Sequence, residues 1–213
     1  MRFNYPNGTT YSNSEPNPQK KQEKKTPATH TFANRGMTFE EAINQSNEYY
    51  RERQIALVHK KPTPIQIVKV DYPSRRAAVI REAYFKQAST TDYNGVYEGY
   101  HLDFEAKETK NKTSFPLHNF HEHQVNHMKA CKEHGGIAFV LLWFSTLKRC
   151  FFIESDLIIT FWKDKEQNRK SIPLALIEEQ GIEIHTGFNP RIPYITALRT
   201  HIEKETHNHA KRH

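Results

Sequence analysis

The chain has 213 residues, a net charge of +7 and an isoelectric point near 9.3. This length suits about one domain with additional tails, and the low hydrophobic fraction of 36% indicates that part of the chain lies outside a folded core. The longest apolar run, 137–144, is too short for a membrane span, and no signal-peptide pattern opens the sequence. Cys131 and Cys150 lack the paired spacing of metal ligands, so we expect reduced thiols in a cytoplasmic protein.

The N-terminal segment differs in composition from the rest of the chain. Residues 1–35 contain six Lys or Arg, two Glu, and no Ile, Leu or Val. Such a segment cannot bury enough apolar surface to fold, so we predict a disordered basic arm over 1–34. The arm serves either as a flexible phosphate-binding segment or as a solubilising tail. Its basic cluster consists of Lys20, Lys21, Lys24 and Lys25.

Ordered structure is predicted to begin near Met37. Thr38 and Glu41 have the spacing of a helix-capping box, and apolar residues then recur at helical intervals. This pattern predicts a helix that ends at about Gln54. A short buried strand is expected at 55–59.

A strongly basic stretch follows at 60–86. It carries seven Lys or Arg against two acidic residues, and three prolines divide it into strand-like pieces. We predict a strand at 65–71 and a turn at 72–74, whereas 77–85 fits either a strand or a helix. Basic residues interleaved with aromatic ones are typical of surfaces that contact phosphates and stack on bases, although an ordinary charged hairpin is the alternative. The candidate DNA-binding residues are Lys60, Lys61, Arg75, Arg76, Arg81, Tyr84 and Phe85, with Lys110 and Lys112 in a later loop.

Two carboxylates thirteen residues apart, Asp92 and Glu105, form the most informative motif, and Lys107 follows the second. The intervening residues predict a hairpin with its turn at Glu98-Gly99. Because side chains alternate along a strand, Asp103, Glu105 and Lys107 share the face opposite the apolar one. Two carboxylates beside an ammonium group suit a divalent-cation site that hydrolyses phosphodiesters. A solvated strand face with an ordinary Glu–Lys pair is the alternative.

A helix is predicted at about 119–134, ended by two glycines. Gln124 lies on its inward stripe, either as a packed glutamine or with its carbonyl reaching the metal site. His123 and His127 share a face and could bind a transition metal, but their pattern fits surface histidines better. The zinc-protease motif is excluded because Val125 occupies the position of its second histidine.

The remaining pattern completes one domain. Buried strands are predicted at 137–144 and 149–154, a further apolar piece at 157–162, and short helices at 174–179 and 192–203. Together these elements predict an α/β fold with a mixed central sheet flanked by helices. The sequence lacks a Gly-rich phosphate loop, a serine-hydrolase elbow and a dinucleotide fingerprint, which argues against those enzyme classes.

Several segments resemble the RecU Holliday-junction resolvases of Gram-positive bacteria over about 35–200. They are RGMTFEEAINQSNEYY, IALVHKKPTPIQIV, STTDYNGVYEGYHLDFEAKETKNKTSFPLHNFHEHQ and PRIPYI. The resemblance implies a restriction-endonuclease-like PD-(D/E)xK fold and a symmetric homodimer that cuts four-way DNA junctions with Mg²⁺ or Mn²⁺. It implies a metal site formed by Thr90, Asp92, Glu105 and Gln124, with Lys107 stabilising the transition state.

The resemblance also implies that 60–86 forms a stalk projecting into the DNA-binding cleft. Action with the strand-exchange protein RecA and with branch-migration proteins is a further implication. The domain is expected to span 35–200, followed by a flexible histidine-rich tail at 201–213.

Two other functional classes stay open at the level of sequence. A junction-binding protein without catalysis is disfavoured by the intact Asp92, Glu105 and Lys107. A restriction or repair nuclease of the same fold is compatible with the motif, because a metal site recognises phosphate and not junction shape.

Overall fold

A computed structural model describes residues 37–86, 89–165 and 169–210. The predicted basic arm lies outside these ranges, as does the end of the predicted tail. The helices are α1 (Phe39–Glu52), α2 (Glu122–Glu133), α3 (Ser155–Lys163), α4 (Leu174–Gln180) and α5 (Tyr194–Ala210). The strands are β1 (Leu57–Lys60), β2 (Ile65–Asp71), β3 (Val79–Phe85), β4 (Tyr93–Tyr97), β5 (Tyr100–Thr109), β6 (Ser114–Pro116), β7 (Ile137–Phe144), β8 (Arg149–Glu154), β9 (Ser171–Pro173) and β10 (Ile182–Ile184).

The central sheet has six strands in the order β1-β4-β5-β7-β8-β10. Its β5–β7 pair is parallel, and its other pairs are antiparallel. A parallel pair needs a crossover connection, and α2 lies in the segment between β5 and β7. The predicted mixed sheet flanked by helices is therefore confirmed.

Helices cover both faces of this sheet. On one face, Phe104 and Phe139 stack with ring centroids 4.6 Å apart and belong to the same core as residues of α1 and α5. On the other face, Val140 and Leu142 form a second core with residues of α2, α3 and α4. Strand β7 is thus buried on both sides, which explains its unbroken apolar run.

Two local predictions are confirmed in atomic detail. The Thr38 hydroxyl accepts a hydrogen bond from the Glu41 backbone N–H at 3.1 Å, and the Glu41 carboxylate accepts one from the Thr38 N–H at 2.7 Å. At the hairpin turn, Glu98 and Gly99 have φ values of 48° and 86°. Positive φ at both turn residues suits a tight two-residue hairpin, and it sets the register between β4 and β5.

Several boundaries differ from the predictions. The expected buried strand at 55–59 is the edge strand β1, in which only Val58 is buried, because one face alone packs against the core. The apolar piece at 157–162 is part of α3. Helix α5 continues to Ala210, beyond the predicted end at 203. Residues 201–210 are therefore helical. The prediction stopped early because the last turns of this helix are polar and carry no apolar periodicity.

Strands β2 and β3 form a separate two-stranded hairpin. The segment 77–85, for which the sequence allowed a strand or a helix, is mainly the strand β3. A short 3-10 turn, Arg75–Ala77, precedes it. All residues of β2 and β3 are exposed apart from the half-buried Asp71. The hairpin has the exposure expected of a stalk.

Within the described ranges, no helix is long and apolar enough to cross a membrane.

Candidate active site

Three elements bring the motif residues together on one face of the sheet. Asp92 immediately precedes β4, and the pairing of Tyr93 with Phe104 brings Asp92 close to Glu105 on β5. Lys107 lies two residues further along β5 and on the same face. Helix α2 packs against this face and contributes Gln124 from its first turn.

Glu105 is the centre of the cluster and is fully buried. Its Oε2 accepts a hydrogen bond of 2.8 Å from the Gln124 amide, and the Lys107 ammonium lies 3.3 Å from its Oε1. The Lys107 contact is an ion pair, and Glu105 Oε1 is a buried oxygen that accepts no hydrogen bond of good geometry from the described part of the chain. The Asp92 carboxyl is also within hydrogen-bonding reach of Glu105.

The electrostatics of Glu105 indicate that the site needs a positive charge. Burial is the main reason why the pKa of Glu105 rises to about 8; the hydrogen bond to Asp92 and its negative charge act in the same direction, whereas Lys107 lowers the pKa. A carboxyl in this position keeps a proton unless a cation replaces it. The pair of Asp92 and Glu105 therefore has the charge and the free oxygen that a divalent cation would use.

The fit to Mg²⁺ rests on oxygen donors. Mg²⁺ binds a few carboxylates and retains several waters, so two carboxylates suffice as charged ligands. No cluster of three or more His, Cys, Asp or Glu suited to a metal occurs within 37–86, 89–165 and 169–210. The oxygen ligands that Mg²⁺ prefers are thus present as the two carboxylates of Asp92 and Glu105.

The other two predicted ligands occupy distinct positions. The Thr90 hydroxyl donates to the Thr91 carbonyl at 3.1 Å. The Gln124 carbonyl accepts from the His121 N–H at 3.1 Å, so its amide group and not its carbonyl faces Glu105. Gln124 contacts Glu105, and Thr90 precedes Asp92 by two residues; the role of both as metal ligands stays a prediction.

Asp92 is accessible from outside. It lines an open cavity of about 170 Å³ together with residues of α1 and β5. Ala106 and Glu108 alternate with Glu105 and Lys107 along β5, so this cavity borders the half-buried Asp92 from the α1 side of the sheet and does not reach Glu105. The cavity is lined by Thr38, Phe39, Glu40, Asp92, Tyr93, Ala106 and Glu108.

The structure also shows a polar cluster that sequence reasoning missed. The buried Asp103 carboxylate accepts hydrogen bonds from the Lys61 ammonium at 2.7 Å and from the Thr91 hydroxyl. His127 Nε2 lies 3.2 Å from the same carboxylate, although not in hydrogen-bonding geometry. The alternation of β5 placed Asp103 on the face of Glu105, which was the available signal. The Lys61 ammonium is mostly buried and paired with Asp103, so the DNA-binding role of Lys61 stays a prediction that the structure does not test.

His123 is a second residue near the site that received no catalytic role from sequence. Its ring stacks on that of His121 with centroids 5.5 Å apart. Burial lowers the pKa of His123, as do the nearby His121 and Lys107, while Asp92 raises it. The first turn of α2 therefore lies beside Lys107 and Asp92, which only the packing of α2 could reveal.

The remaining candidate DNA-binding residues are largely exposed. Lys60 forms an ion pair of 2.5 Å with Glu40, and Arg81 forms one of 2.5 Å with Asp71. The Tyr84 hydroxyl donates to Glu82 at 2.6 Å, which leaves the ring face open. Arg75 lies in the 3-10 turn, and its side chain is not described. The exposed residues are Lys60, Arg76, Arg81, Tyr84, Phe85, Lys110 and Lys112.

Comparison with known proteins identifies the family. The family model for Recombination protein U matches residues 34–200. The chain is 57% identical over 199 residues to the Holliday junction resolvase RecU of Latilactobacillus sakei subsp. sakei (strain 23K), covering 93% of this chain and 95% of that protein. It is 58% identical over 207 residues to the Holliday junction resolvase RecU of Lactiplantibacillus plantarum, covering 97% and 98%.

Among solved structures, the Holliday junction resolvase Hjc of Archaeoglobus fulgidus aligns with a TM-score of 0.36 and 11% identity, covering 66% of this chain and 94% of that one. The family match, in contrast, covers residues 34–200, and the two relatives cover 93% and 97% of the chain. On their evidence, the chain belongs to the RecU family.

Proposed function

We propose that this protein is a DNA endonuclease that resolves four-way (Holliday) junctions by Mg²⁺-dependent paired nicking, acting as a homodimer in homologous recombination and DNA repair. One observation carries the proposal: the carboxylates of Asp92 and Glu105 meet beside the Lys107 ammonium in a chain more than half identical to proteins named Holliday junction resolvase RecU.

Asp92 and Glu105 would hold the Mg²⁺ ion, with Thr90 and Gln124 at its margin, and Mn²⁺ is a possible substitute. When bound, the ion would supply Lewis-acid chemistry at the scissile phosphate. The buried Oε1 of Glu105 supports this assignment because it lacks a hydrogen bond within the described ranges. Gln124 donates to Oε2 and so fixes the orientation of the carboxylate.

Lys107 supplies the positive charge that this chain itself contributes. Its ammonium is mostly buried, with 17% of the side chain exposed, and it lies 3.3 Å from Glu105. In a partly dry site, a fixed ammonium stabilises negative charge that develops on the phosphate oxygens in the transition state. Lys107 thereby supports in-line displacement at the phosphate.

Substrate recognition is assigned to the exposed β2–β3 hairpin. The hairpin presents Arg76, Tyr84 and Phe85 to solvent, and Phe85 is 83% exposed. Aromatic rings and cationic groups on one projecting element suit the open crossover of a four-way junction, where bases can be reached. Linear duplex offers chiefly its phosphates.

The homodimer follows from the requirement for two nicks. One site cuts one strand, so symmetric resolution needs two protomers related by a twofold axis. An exposed apolar pair supports an interface: Leu57 of β1 and Val96 of β4 are register partners that are 56% and 46% exposed. Exposed apolar patches commonly mark protein contacts. A cytoplasmic location and contacts with RecA and branch-migration proteins complete the proposal.

The proposal is tested by comparing cleavage of a mobile four-way junction with that of a linear duplex of the same sequence. We expect paired nicks in the junction with Mg²⁺, none with EDTA, and slower cutting of the duplex. Asp92→Asn should abolish cleavage and preserve junction binding, because one ligand charge is removed without a change of shape. The exposed Glu133→Gln on α2 is the matched control and should cut normally.

Equal cutting of junction and duplex would instead identify a nuclease with another substrate. Junction binding without Mg²⁺-dependent cutting would identify a non-catalytic junction-binding protein. Substantial Mg²⁺-dependent cleavage by Asp92→Asn would contradict the assignment of Asp92 as a metal ligand.

A further inference from the structure

The segment that carries Asp92 is held by a buried polar cluster that the nuclease motif does not include. Asp103 is 2% exposed, lies on the same strand as Glu105 and faces the same side of the sheet. A buried carboxylate is costly unless it is paired and hydrogen-bonded. Asp103 meets that condition through two partners, Thr91 and Lys61.

Thr91 connects this cluster directly to the catalytic segment. Its hydroxyl, on the residue immediately before Asp92, donates to Asp103 Oδ1 and accepts from the Lys61 ammonium at 3.2 Å. Thr91 is itself 2% exposed. The side chain that precedes Asp92 is therefore fixed from two directions.

Lys61 holds the same segment through its backbone as well. Its N–H donates to the Asp92 carbonyl at 2.7 Å, while its ammonium donates to Asp103 at 2.7 Å. Lys61 begins the connection from β1 to β2, so it also marks the root of the β2–β3 hairpin. The hairpin root and the catalytic segment thus share one anchored residue.

We propose that Asp103, Thr91 and Lys61 are positioning residues that set the distance and orientation of Asp92 relative to Glu105 for divalent-cation binding. This inference rests on the proposed function, because it assumes that Asp92 and Glu105 hold the cation. None of the three is a proposed ligand of the cation. Thr91 and Lys61 act on Asp92 through the backbone, and Asp103 acts through both of them.

The central variant is Thr91→Val, which keeps the side-chain shape but removes the hydroxyl. We expect the Mg²⁺ dissociation constant, measured by calorimetry on the full chain without DNA, to rise about tenfold, as is usual when an orienting hydrogen bond behind a metal ligand is removed. The Mg²⁺ concentration for half-maximal junction cleavage should rise by the same factor. Junction binding in EDTA should stay within about twofold of wild type.

Thr91→Ser keeps the hydroxyl and should restore wild-type Mg²⁺ affinity, which a purely steric role for the methyl group would not produce. Asp103→Asn is the second test, since it keeps the size and removes the charge, and it should weaken Mg²⁺ binding similarly. If Thr91→Val does not unfold cooperatively and is therefore not properly folded, Asp103→Asn serves as the test in its place. Wild-type Mg²⁺ affinity in a folded Thr91→Val or Asp103→Asn variant would overturn the inference.

Asp92→Asn separates this inference from the proposed function. If Asp92→Asn loses Mg²⁺ binding and cleavage while Thr91→Val and Asp103→Asn bind Mg²⁺ normally, the positioning role alone is wrong. If Asp92→Asn binds Mg²⁺ and cuts like wild type, the proposed metal site is wrong, and the positioning role fails with it.

Discussion

At the scale of single residues, Glu105 combines burial with a second carboxyl group at short range. Such a group is tolerated only when a proton or a cation compensates its charge. The proposed role of Glu105 in binding a cation and its cost to stability therefore have the same physical origin. In the metal-free protein, this cost should be visible as a dependence of stability on pH.

Between the ordinary pKa of 4.5 and the raised pKa of about 8, native Glu105 keeps a proton that the unfolded chain has released. The stabilisation is complete below pH 4.5 and is lost as the pH rises towards 8. We expect the free energy of unfolding without metal to decrease by up to about 1.4 kcal/mol per pH unit from this group. Glu105→Gln should remove this component in urea unfolding measured from pH 5 to 8.

The exposed Glu108→Gln on the same strand is the control and should keep the wild-type slope. A Glu105→Gln variant with an unchanged slope would contradict the raised pKa. Addition of Mg²⁺ should stabilise wild type at pH 8 and leave Glu105→Gln almost unaffected, because a ligand that binds only the native state stabilises it.

Lys107 provides a second prediction at this scale. Lys107→Ala should lower the rate of junction cleavage at saturating Mg²⁺ by about 10²–10³-fold, the usual loss when a preorganised electrostatic donor is removed. Mg²⁺ binding should be retained, since the two carboxylates stay. Single-turnover cleavage and calorimetry measure the two effects. The exposed Lys148→Ala in the β7–β8 turn should match wild type in both.

At the scale of elements, the β2–β3 hairpin and the central sheet are separate structures. The hairpin pairs with no other strand among the described residues, and its side chains are almost all exposed. Changes to the hairpin should therefore alter DNA recognition without altering the stability of the core. A change in the central sheet should do the opposite.

The hairpin prediction concerns its arginines. Replacing Arg75, Arg76 and Arg81 with Ala should reduce junction affinity more than duplex affinity, because we propose that the hairpin contacts the open crossover. Titrations of both DNAs at one salt concentration measure the difference. Mg²⁺ binding and thermal unfolding should not change. Equal losses on junction and duplex would make the hairpin a general phosphate-binding surface.

Lys204→Ala on the exposed part of α5 is the charge control. Helix α5 packs on the face of the central sheet opposite the one that carries Glu105 and α2. The substitution removes a positive charge from the molecule without touching the hairpin. It should leave the ratio of junction to duplex affinity unchanged.

The sheet prediction concerns Gly95 on β4. A methyl group at this position would lie 2.3 Å from the Leu57 carbonyl oxygen and 2.8 Å from the Val58 Cα. Both are backbone atoms of β1, so the edge strand would have to move. We expect Gly95→Ala to lower the free energy of unfolding by about 1–3 kcal/mol, the usual cost of overpacking.

Gly99→Asn is the matched control. Gly99 has open space around its Cα, and Asn tolerates its positive φ of 86°. Chemical unfolding should show little change for this variant. Wild-type stability of Gly95→Ala would indicate that β1 is not packed as tightly as described.

At the scale of the whole molecule, the open question is whether the basic N-terminal arm binds DNA phosphates or only solubilises the chain. The predicted arm lies outside the described residues, so its role is a prediction from composition alone. Deleting residues 1–30 should weaken DNA binding and reduce the slope of log affinity against log salt by up to about 0.9 for each phosphate that the arm neutralises. The positions of the nicks should not change. An unchanged slope would make the arm a solubilising tail.

The local features of this fold could be predicted from sequence. The Thr38–Glu41 capping box, the Glu98-Gly99 turn and the apolar run of β7 each depend on neighbours within a few residues. The spacing from Asp92 to Glu105 and Lys107 is likewise a local feature, because the β4–β5 hairpin and the residue before it carry all three side chains. Alternation along β5 was enough to place Glu105 and Lys107 on one face.

The tertiary structure decided what covers that face. The residues alone left Gln124 undecided, and only the packing of α2 against β5 brings its amide within 2.8 Å of Glu105. The pairing of Lys61 with Asp103 was not predicted, because local charge density cannot reveal a buried partner 42 residues away. Sequence periodicity reports which face a side chain occupies, whereas the partners on that face depend on how distant elements pack. Side-chain types and local spacing thus determined the chemistry of the site, and long-range packing determined which residues position it.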